Sequence, residues 1–459
     1  MQEIKRKKQA FGKYEIFVIA LLAFLQFTVV LDFMVLSPLS AILLDELKIS
    51  TSQFGLVVSA YAFSAGASGF LSSGFADRFD RKKILLFFYT GFIAGTLFCG
   101  LAPNYYALLA ARVVTGLFGG VMSSISFAIV TDLFSFERRG RVMGFVQMAF
   151  SVSQIMGIPV GLYLANELGW HAPFLLIVAI SVIVWFMVVT RLKPIDEHLK
   201  EKSEKNAFQH MLHTLSNRDY LRGFSVTTLL ATGGFMLMPF GAAFSVHNLG
   251  IDIKILPVVY MVTGAFSIVM GPLAGMLADK IGKFKLFVGG SLIAATVILY
   301  YCNLGITPLV MVMALNVLMF VGITSRMVAN QSLITAVPEP KDRGAFMGIN
   351  SSVMQLSGGI ASLIAGMIVV QNDSGYLEHY NILGYVVTGT ILITILLMRR
   401  IDVMVRNKQR AKVELSTKAS ELLDAEIDFA GGRQQGVGFV SSSNAEHTAG
   451  GTNEAPKPL

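Results

Sequence analysis

Twelve apolar runs along the chain are each long enough to cross a lipid bilayer as a helix. A spanning helix needs about 20 apolar residues, and such runs lie at roughly 16–44, 54–75, 84–101, 105–131, 142–165, 173–190, 223–247, 256–277, 286–304, 307–334, 345–370 and 383–398. Only 14% of the 459 residues are charged, against about 25% in soluble domains. The sequence therefore predicts an all-α membrane protein with twelve transmembrane helices, and it excludes a disordered chain and a cytosolic enzyme.

Basic residues gather on one side of the predicted spans. If both termini face the cytoplasm, the outer loops contain only Lys48 and Lys254, whereas basic clusters at 5–8, 81–83 and 138–141 lie inside. Cytoplasmic loops of membrane proteins are enriched in Lys and Arg, so the pattern predicts a multi-pass protein of the inner membrane with both termini cytoplasmic. The net charge of +8 then reflects topology, and we expect no nucleic-acid partner.

A polar stretch at 192–222 divides the spans into two sets of six. Beyond the last span, the sequence is first charged and then rich in Gly, Ser, Asn and Pro, a composition typical of disorder. The predicted organisation is a cytoplasmic N-terminus, a six-helix bundle, a cytoplasmic linker, a second six-helix bundle and a cytoplasmic tail that is disordered at its end, at 1–15, 16–191, 192–222, 223–398 and 399–459 respectively.

The two halves of the chain repeat each other. Asp77 in SGFADRFDRKK matches Asp279 in GMLADKIGKFK, and the Arg139-Gly140 pair matches Arg343-Gly344 about 204 positions later. Internal repeats of this size are a feature of many secondary carriers, whose halves surround a central path. We therefore expect two pseudo-symmetric six-helix bundles.

These motifs resemble the major facilitator superfamily, over about residues 10–400. The family signature between helices 2 and 3 is G-x-L-A-D-R-x-G-R-[KR]. Residues 73–82 match it as SGFADRFDRK, with Ser73 and Asp80 in place of two glycines. The second copy keeps Asp279 and Gly282. The resemblance implies the major facilitator fold and transport by alternating access.

Two further motifs are similar to the twelve-span drug:proton antiporter type. Arg112 and Gly116 resemble the R-x-x-x-G signature of helix 4. Residues 157–161 (GIPVG), followed by Gly-Trp, resemble the G-V-P-L-G…G-W-R of arabinose/chloramphenicol efflux permeases, although His171 replaces the usual Arg. Within the family, the loop between helices 2 and 3 latches the two bundles together on the cytoplasmic side. The resemblance therefore implies a conformational latch formed by Gly74, Asp77, Arg78, Arg81, Lys82, Asp132, Arg139 and Asp279.

Asp32 lies near the middle of the apolar segment FLQFTVVLDFMVLSPLS. A carboxylate at such a depth costs about 2.5–3.5 kcal/mol on insertion scales, and a low dielectric favours its neutral form. Asp32 is therefore predicted to carry a proton, and related exporters also have a functional acid in helix 1. The alternative is a structural carboxylate paired with a neighbouring helix. Arg112 is the predicted partner for proton coupling, unless it snorkels to the outer surface.

Other polar, aromatic and Met side chains in the spans are predicted to line a central substrate cavity. Polar groups in hydrocarbon must face the protein interior or water, and Met and aromatic walls adapt to varied ligands. The alternatives are interhelical hydrogen bonding, lipid-facing aromatic rings and snorkelling of the helix-10 arginine. The candidates are Gln26, Thr28, Tyr61, Gln147, Ser151, Gln154, Phe235, Met238, Asn316, Arg326, Asn330, Ser351 and Gln355.

The resulting hypothesis is a secondary active transporter that couples proton entry to export of a small amphipathic compound, such as a drug, sugar or metabolite. One alternative is an uptake symporter or uniporter for an organic anion bound by Arg112 and Arg326. Another is a membrane sensor or scaffold that acts through the tail at 399–459. The sequence has no Walker A stretch, metal-ligand cluster or nucleophile elbow, so we predict no enzyme activity, catalytic residue, cofactor or metal. The expected partners are substrate, protons and lipid, and we expect a monomer.

Overall fold

The computed structural model describes residues 11–75, 79–196, 199, 214–339 and 342–435. Twelve helices within these ranges are long and apolar enough to cross a membrane, which confirms the predicted fold class and the number of spans. Helices dominate because a backbone in lipid must satisfy its own hydrogen bonds. The predicted disorder at the end of the tail falls mainly on 436–459, outside the described residues.

The N-terminal bundle contains nine helical segments that make six spans. They are α1 (Lys13–Val35), α2 (Ser40–Glu46), α3 (Thr51–Phe75), α4 (Arg81–Gly100), α5 (Tyr105–Gly119), α6 (Met122–Leu133), α7 (Phe136–Val152), α8 (Ile158–Leu168) and α9 (Ala172–Arg191).

The C-terminal bundle has the same number of spans in seven helical segments. They are α10 (Arg218–Leu237), α11 (Gly241–His247), α12 (Leu256–Ile281), α13 (Lys283–Tyr301), α14 (Leu309–Ile334), α15 (Arg343–Ile368) and α16 (Tyr380–Gln435). Between α15 and α16, the short strands β1 (Val370–Gln371) and β2 (Leu377–Glu378) pair antiparallel.

Several predicted continuous spans are interrupted in the structure. The run expected at 16–44 ends as a helix at Val35, passes through a turn that contains Pro38, and resumes at Ser40. A proline lacks the backbone N–H that a helix needs and clashes with the preceding turn. In the same way, Pro239 lies in a 3₁₀ turn between α10 and α11, and a π-helical turn precedes Pro159 between α7 and α8. The span predicted at 16–44 is therefore present as two helical segments, α1 and α2, on either side of Pro38.

We call the helix ends that include the α2–α3 and β1–β2 loops the distal face, and the opposite ends, next to residue 11, the proximal face. The bundles contact each other extensively along α3 and α15. Gly55 and Gly366 allow this approach, since a Cβ on Gly366 would lie 3.1 Å from the Gly55 Cα. Ser59 Oγ donates a hydrogen bond to the Gly359 carbonyl oxygen at 2.8 Å. Small residues of this kind let membrane helices pack backbone to backbone.

Polar contacts join the two bundles at the distal face. The backbone N–H of Ala243 donates to Ser40 Oγ at 3.2 Å, and Asn166 Nδ2 donates to the Ile253 carbonyl at 3.0 Å. The Thr51 hydroxyl at the start of α3 donates to the carbonyl of Val369 just after α15. Each of these three hydrogen bonds joins a residue of the N-terminal bundle to a residue of the C-terminal bundle. The bundles are therefore closed against each other at the distal face.

Candidate functional site

Asp32 and Arg112 form an ion pair in the interior of the N-terminal bundle. Arg112 Nη1 lies 2.8 Å from Asp32 Oδ2, and the side chains are 1% and 0% exposed respectively. The Thr96 hydroxyl donates a hydrogen bond to Asp32 Oδ1 at 3.1 Å. Three helices, α1, α4 and α5, therefore converge on one carboxylate.

The guanidinium of Arg112 contacts the Tyr61 ring as well as the Asp32 carboxylate. Its Cζ lies 4.4 Å from the centre of the Tyr61 ring, a cation–π arrangement. Gly116 follows Arg112 by one turn, and a Cβ there would lie only 2.5 Å from the Tyr61 carbonyl oxygen. The R-x-x-x-G spacing thus brings α5 against α3 and sets the arginine over the tyrosine.

Burial makes this pair sensitive to any change in its charge. Moving two ions out of water costs several kcal/mol each, and only good geometry with further hydrogen bonds offsets this. Arg112 lies seven residues into α5, about 10 Å from the start of that helix. It does not reach the distal surface, so the snorkelling alternative does not describe this structure.

Sequence reasoning missed several residues around the pair. Thr96 binds the carboxylate, and Cys99 lies on the same helix with its Sγ 3.7 Å from Thr115 Oγ1. A lone Thr or Cys in an apolar helix matches no motif, so the sequence contains no signal for them beyond their polarity. They became visible only when α4 was placed against α1 and α5.

Aromatic rings lead from this pair to the other bundle. Phe33 follows Asp32 in α1, and its ring centre lies 5.4 Å from that of Tyr61 and 5.6 Å from that of Phe235 in α10. Phe235 covers Gly358 of α15, where a Cβ would meet the ring at 2.9 Å. Met238 packs against the same region together with Phe33. Two predicted cavity residues, Phe235 and Met238, therefore lie where the bundles meet.

Polar stripes on α7 and α15 remain accessible in the structure. Gln147 and Ser151 are exposed on α7, Ser351 is exposed on α15, and Gln154 and Gln355 are half-buried. Amide and hydroxyl groups in the middle of a span avoid lipid. Their exposure therefore fits a water-filled space rather than the lipid side.

Three other predicted cavity residues bond within their own bundle. Gln26 Nε2 donates to Ser123 Oγ at 2.9 Å. The Thr28 hydroxyl donates to the Leu25 carbonyl and lies 3.0 Å from the Tyr89 hydroxyl. Asn316 Nδ2 donates to the Val312 carbonyl of its own helix. The structure does not bring these side chains together with the Asp32 pair.

Arg326 and Asn330 lie one turn apart on α14 and are both buried, with 6% and 8% of their surface exposed. The Arg326 guanidinium lies over the Phe287 ring of α13, with its Cζ 5.6 Å from the ring centre. Within the described residues, Arg326 Nε and Asn330 Oδ1 have no hydrogen-bond partner. Burial also shows that this arginine does not snorkel freely to the proximal surface.

The latch residues that the structure describes lie mainly at the proximal end of the N-terminal bundle. Arg81 Nε lies 2.8 Å from Asp132 Oδ2, and Lys82 Nζ donates to one carbonyl in the last turn of α9 and to one just beyond that helix. Arg139 donates to two carbonyls at the end of α6. Gly74 is in the last turn of α3 and Asp279 is exposed near the end of α12, whereas Asp77 and Arg78 lie outside the described residues.

The chain is similar in sequence to a known protein family and to several transporters. The model of the Major Facilitator Superfamily matches residues 22–328 and 224–434. The uncharacterized MFS-type transporter YceJ of Bacillus subtilis (strain 168) is 26% identical over 270 residues, which cover 58% of this chain and 68% of YceJ. Multidrug resistance protein 3 of the same organism is 29% identical over 153 residues, covering 33% of this chain and 30% of that protein. The probable sugar efflux transporter of Helicobacter pylori (strain G27) is 25% identical over 195 residues, covering 42% and 49% respectively.

Solved structures share the fold. A bacterial homolog of the human lysosomal transporter Spinster, in an inward-facing and unoccupied conformation, aligns with a TM-score of 0.65 at 18% identity, covering 86% of this chain and 97% of that chain. A mutant of the nucleoside transporter NupG aligns with a TM-score of 0.65 at 11% identity, covering 84% and 99%. With the family model matched across most of its length and this shared fold, the chain belongs to the Major Facilitator Superfamily and is a membrane transporter of that type.

Proposed function

We propose that this transporter is of the drug:proton antiporter type and couples proton entry to the export of a small amphipathic compound by alternating access. The observation that carries the proposal is the fully buried pair of Asp32 and Arg112. Asp32 is the group that takes up and releases the proton, and Arg112 is the group that responds to its charge.

Protonation of Asp32 would remove the attraction that holds the pair together. Two unit charges about 4 Å apart attract each other by about 4 kcal/mol at an effective dielectric of about 20. A shift between two conformations from 1:99 to 99:1 requires about 5.5 kcal/mol. A single proton at this position therefore acts on the energy scale needed to change the balance between two bundle arrangements.

The neighbours of the pair offer a route by which this change reaches the second bundle. Arg112 lies on the Tyr61 ring, Tyr61 packs on Phe33, and Phe33 packs on Phe235 of α10. A guanidinium released from Asp32 would shift or turn, and Tyr61 could not keep its present position. In this proposal, the contact between Phe33 and Phe235 passes the movement to the C-terminal bundle.

The closed distal face and the accessible polar stripes on α7 and α15 support a cavity that opens toward the proximal face. We assign the proximal face to the cytoplasm because the basic clusters at 81–83 and 138–141 lie there. Both termini are then cytoplasmic in a monomer of the inner membrane. The loop around Asp77, with Arg81 and Asp132, acts as the latch that closes this face in the opposite state.

Export rather than uptake is supported by the printed names of two relatives, a multidrug resistance protein and a probable sugar efflux transporter. It is also supported by the GIPVG motif at 157–161, which begins at the last residue of the π-helical turn and continues through Pro159 into α8. A helix interrupted next to the contact between the bundles can bend as they rock.

The test measures transport by purified protein in liposomes. A thermal-shift screen against drugs, sugars and metabolites selects the compound that stabilises the protein most. We expect an imposed proton gradient to drive this compound against its own gradient in the wild type and not in Asp32→Asn. The matched control Asp373→Asn changes an exposed loop carboxylate and should transport normally.

The other hypotheses give different results in the same assay. Movement of the compound in the same direction as the protons indicates an uptake symporter, and movement that ignores the gradient indicates a uniporter. A protein that moves none of the stabilising compounds, and whose cellular phenotype disappears when the tail at 399–459 is deleted, would be a sensor or scaffold. Gradient-driven exchange that persists in Asp32→Asn would contradict the proposed role of Asp32.

A further inference from the structure

Arg326 in the C-terminal bundle is a buried cation that forms no ion pair with an acidic side chain among the described residues. Helices α13, α14 and α15 of this bundle contain no Asp or Glu. The acids of this half lie outside the interiors of those three helices, at 219, 252, 279, 339, 342, 373, 378 and 402, and two of them, Asp342 and Asp402, are themselves buried. Arg326, eight residues before the end of α14, is thus the one charged side chain in the middle of its span.

Arg112 and Arg326, two of the buried arginines among the described residues, differ in what surrounds them. Arg112 is 1% exposed and lies 2.8 Å from the Asp32 carboxylate. Arg326 is 6% exposed, it takes part in no ion pair within the described residues, and its Nε is unpartnered. Arg112 is therefore buried as one half of a neutral pair, whereas Arg326 is buried without an ion-pair partner among the described residues.

Packing fixes the position of this charge. A Cβ on Gly290 of α13 would lie 3.3 Å from the backbone nitrogen of Arg326, and a Cβ on Gly322 would lie 2.8 Å from the Gly290 carbonyl. Two glycines thus press α13 and α14 together at the residue that bears the guanidinium. The Phe287 ring offers a cation–π contact at 5.6 Å, but a ring face supplies no hydrogen-bond acceptor in the plane of the guanidinium.

We propose that Arg326, with Asn330, binds the anionic group of the transported compound, so that the substrate is an amphipathic organic anion such as a carboxylate. A planar guanidinium matches a carboxylate through two parallel hydrogen bonds. Asn330 lies one turn closer to the proximal face on the same side of α14, and its buried Oδ1 is free to accept a hydrogen bond from a donor on the ligand.

This substrate class deepens the proposed export function and rests on it for the direction of transport, but binding of the anion does not depend on proton coupling. A substrate that neutralises Arg326 would remove the uncompensated charge for as long as it stays bound. Substrate occupancy in the C-terminal bundle and protonation in the N-terminal bundle would then each change a buried charge, one in each half.

The test uses three probes with the same carbon skeleton: 4-phenylbutyrate, 4-phenylbutanol and 4-phenylbutylamine. Binding to the purified full-length protein is measured by calorimetry and thermal shift in chloride-free buffer. We expect the carboxylate to bind best, and Arg326→Gln to weaken its binding roughly 10- to 100-fold while binding of the alcohol changes little. Arg326→Lys should retain part of the affinity because the charge remains.

The matched control is Arg222→Gln, which makes the same substitution at an exposed position of α10 and should leave all three affinities unchanged. If Arg326→Gln does not fold, Asn330→Ala takes its place, with the expected loss again confined to the carboxylate. The proposal is wrong if the wild type does not prefer the carboxylate to the other two probes, or if the substituted protein retains that preference.

Sodium chloride serves as a further probe, because it tests whether any small anion binds at Arg326. Equal stabilisation by sodium chloride and by 4-phenylbutyrate would identify a bound inorganic ion and overturn the proposal. Asp32→Asn separates this inference from the proposed function: carboxylate binding in that variant should persist after proton-driven transport is lost. A wild-type protein that shows proton-driven transport but does not prefer the carboxylate probe would instead disprove the anion site alone.

Discussion

Gly366→Ala should open the distal face of the transporter. Gly366 lies near the end of α15, against the beginning of α3. A Cβ at this position would lie 2.8 Å from the Thr51 carbonyl oxygen, 3.1 Å from the Gly55 Cα and 3.3 Å from the Ser52 Cα. All three atoms belong to the backbone, so no side-chain rotation can relieve the clash. The bundles must move apart at this point or remain strained.

The magnitude follows from the contact distances. Adding a methyl group to a well-packed interior typically costs about 1–3 kcal/mol. Because the strain exists only while the distal face is closed, the whole amount shifts the balance between closed and open arrangements. At about 1.4 kcal/mol per factor of ten, the open population should increase roughly 5- to 150-fold.

Spin labels on the two distal loops measure this population directly. Cysteines introduced at Glu46 and Asp373 are exposed and belong to different bundles, whereas the native Cys99 and Cys302 are buried. Double electron–electron resonance should show that a longer distance between the two labels becomes more populated in Gly366→Ala. The control is Gly289→Ala, also within a helix, where a new Cβ would meet nothing within 4 Å. Identical distance distributions in wild type and Gly366→Ala would refute the packing argument.

Three further substitutions test the interactions that surround the ion pair and the proximal end of α1. Arg112→Leu leaves the Asp32 carboxylate buried without its partner and should lower the free energy of unfolding by about 3–5 kcal/mol; equal stability in denaturant unfolding would show that the pair is not formed. Thr96→Val removes one hydrogen bond to a charged acceptor and should cost about 1.5–3 kcal/mol in the same measurement, and a neutral result would place that hydroxyl elsewhere. Glu15→Gln weakens the two hydrogen bonds from Arg138 to Glu15, but this partly exposed pair should contribute less than about 1 kcal/mol, so a large loss of thermal stability would contradict that estimate.

Charge in an apolar context was the most informative signal in the sequence. Asp32 and Arg112 stand out because each interrupts a long apolar run, and the fold brings α1 and α5 together so that the two meet. The polar partners of the pair could not be found in the same way. Thr96 and Cys99 matter through their position on α4, and Thr and Cys occur in membrane helices for many other reasons.

Helix interruptions were only partly predictable. Pro38 marks the break after α1 because proline cannot continue a backbone ladder. The break between α5 and α6, at Gly120 and Val121, has no proline and depends on tight packing, since a Cβ on Gly120 would lie 2.3 Å from the Ala65 carbonyl oxygen. Such a contact is a property of the assembled bundle and not of the local sequence.

The contacts that close the distal face also could not be predicted from the sequence. Ser40, Asn166 and Thr51 are ordinary loop and helix-end residues, and each bonds to a backbone group of the other bundle. Their role depends on which conformation the two bundles adopt, and one sequence has to serve every conformation of the transport cycle. That Arg326 does not snorkel freely to the proximal surface likewise became clear only once its burial was known.

The most direct test of proton control is the response of the bundle arrangement to pH. The same distal spin-label pair is measured between neutral and acidic pH in the wild type and in Asp32→Asn, in the absence of substrate. Arg112, Tyr61 and Cys99 are the other ionisable side chains around this carboxyl, and they are present in both proteins. We expect the wild-type distance distribution to change with pH and the Asp32→Asn distribution to stay constant. An equal pH response in both proteins would show that another group carries the proton.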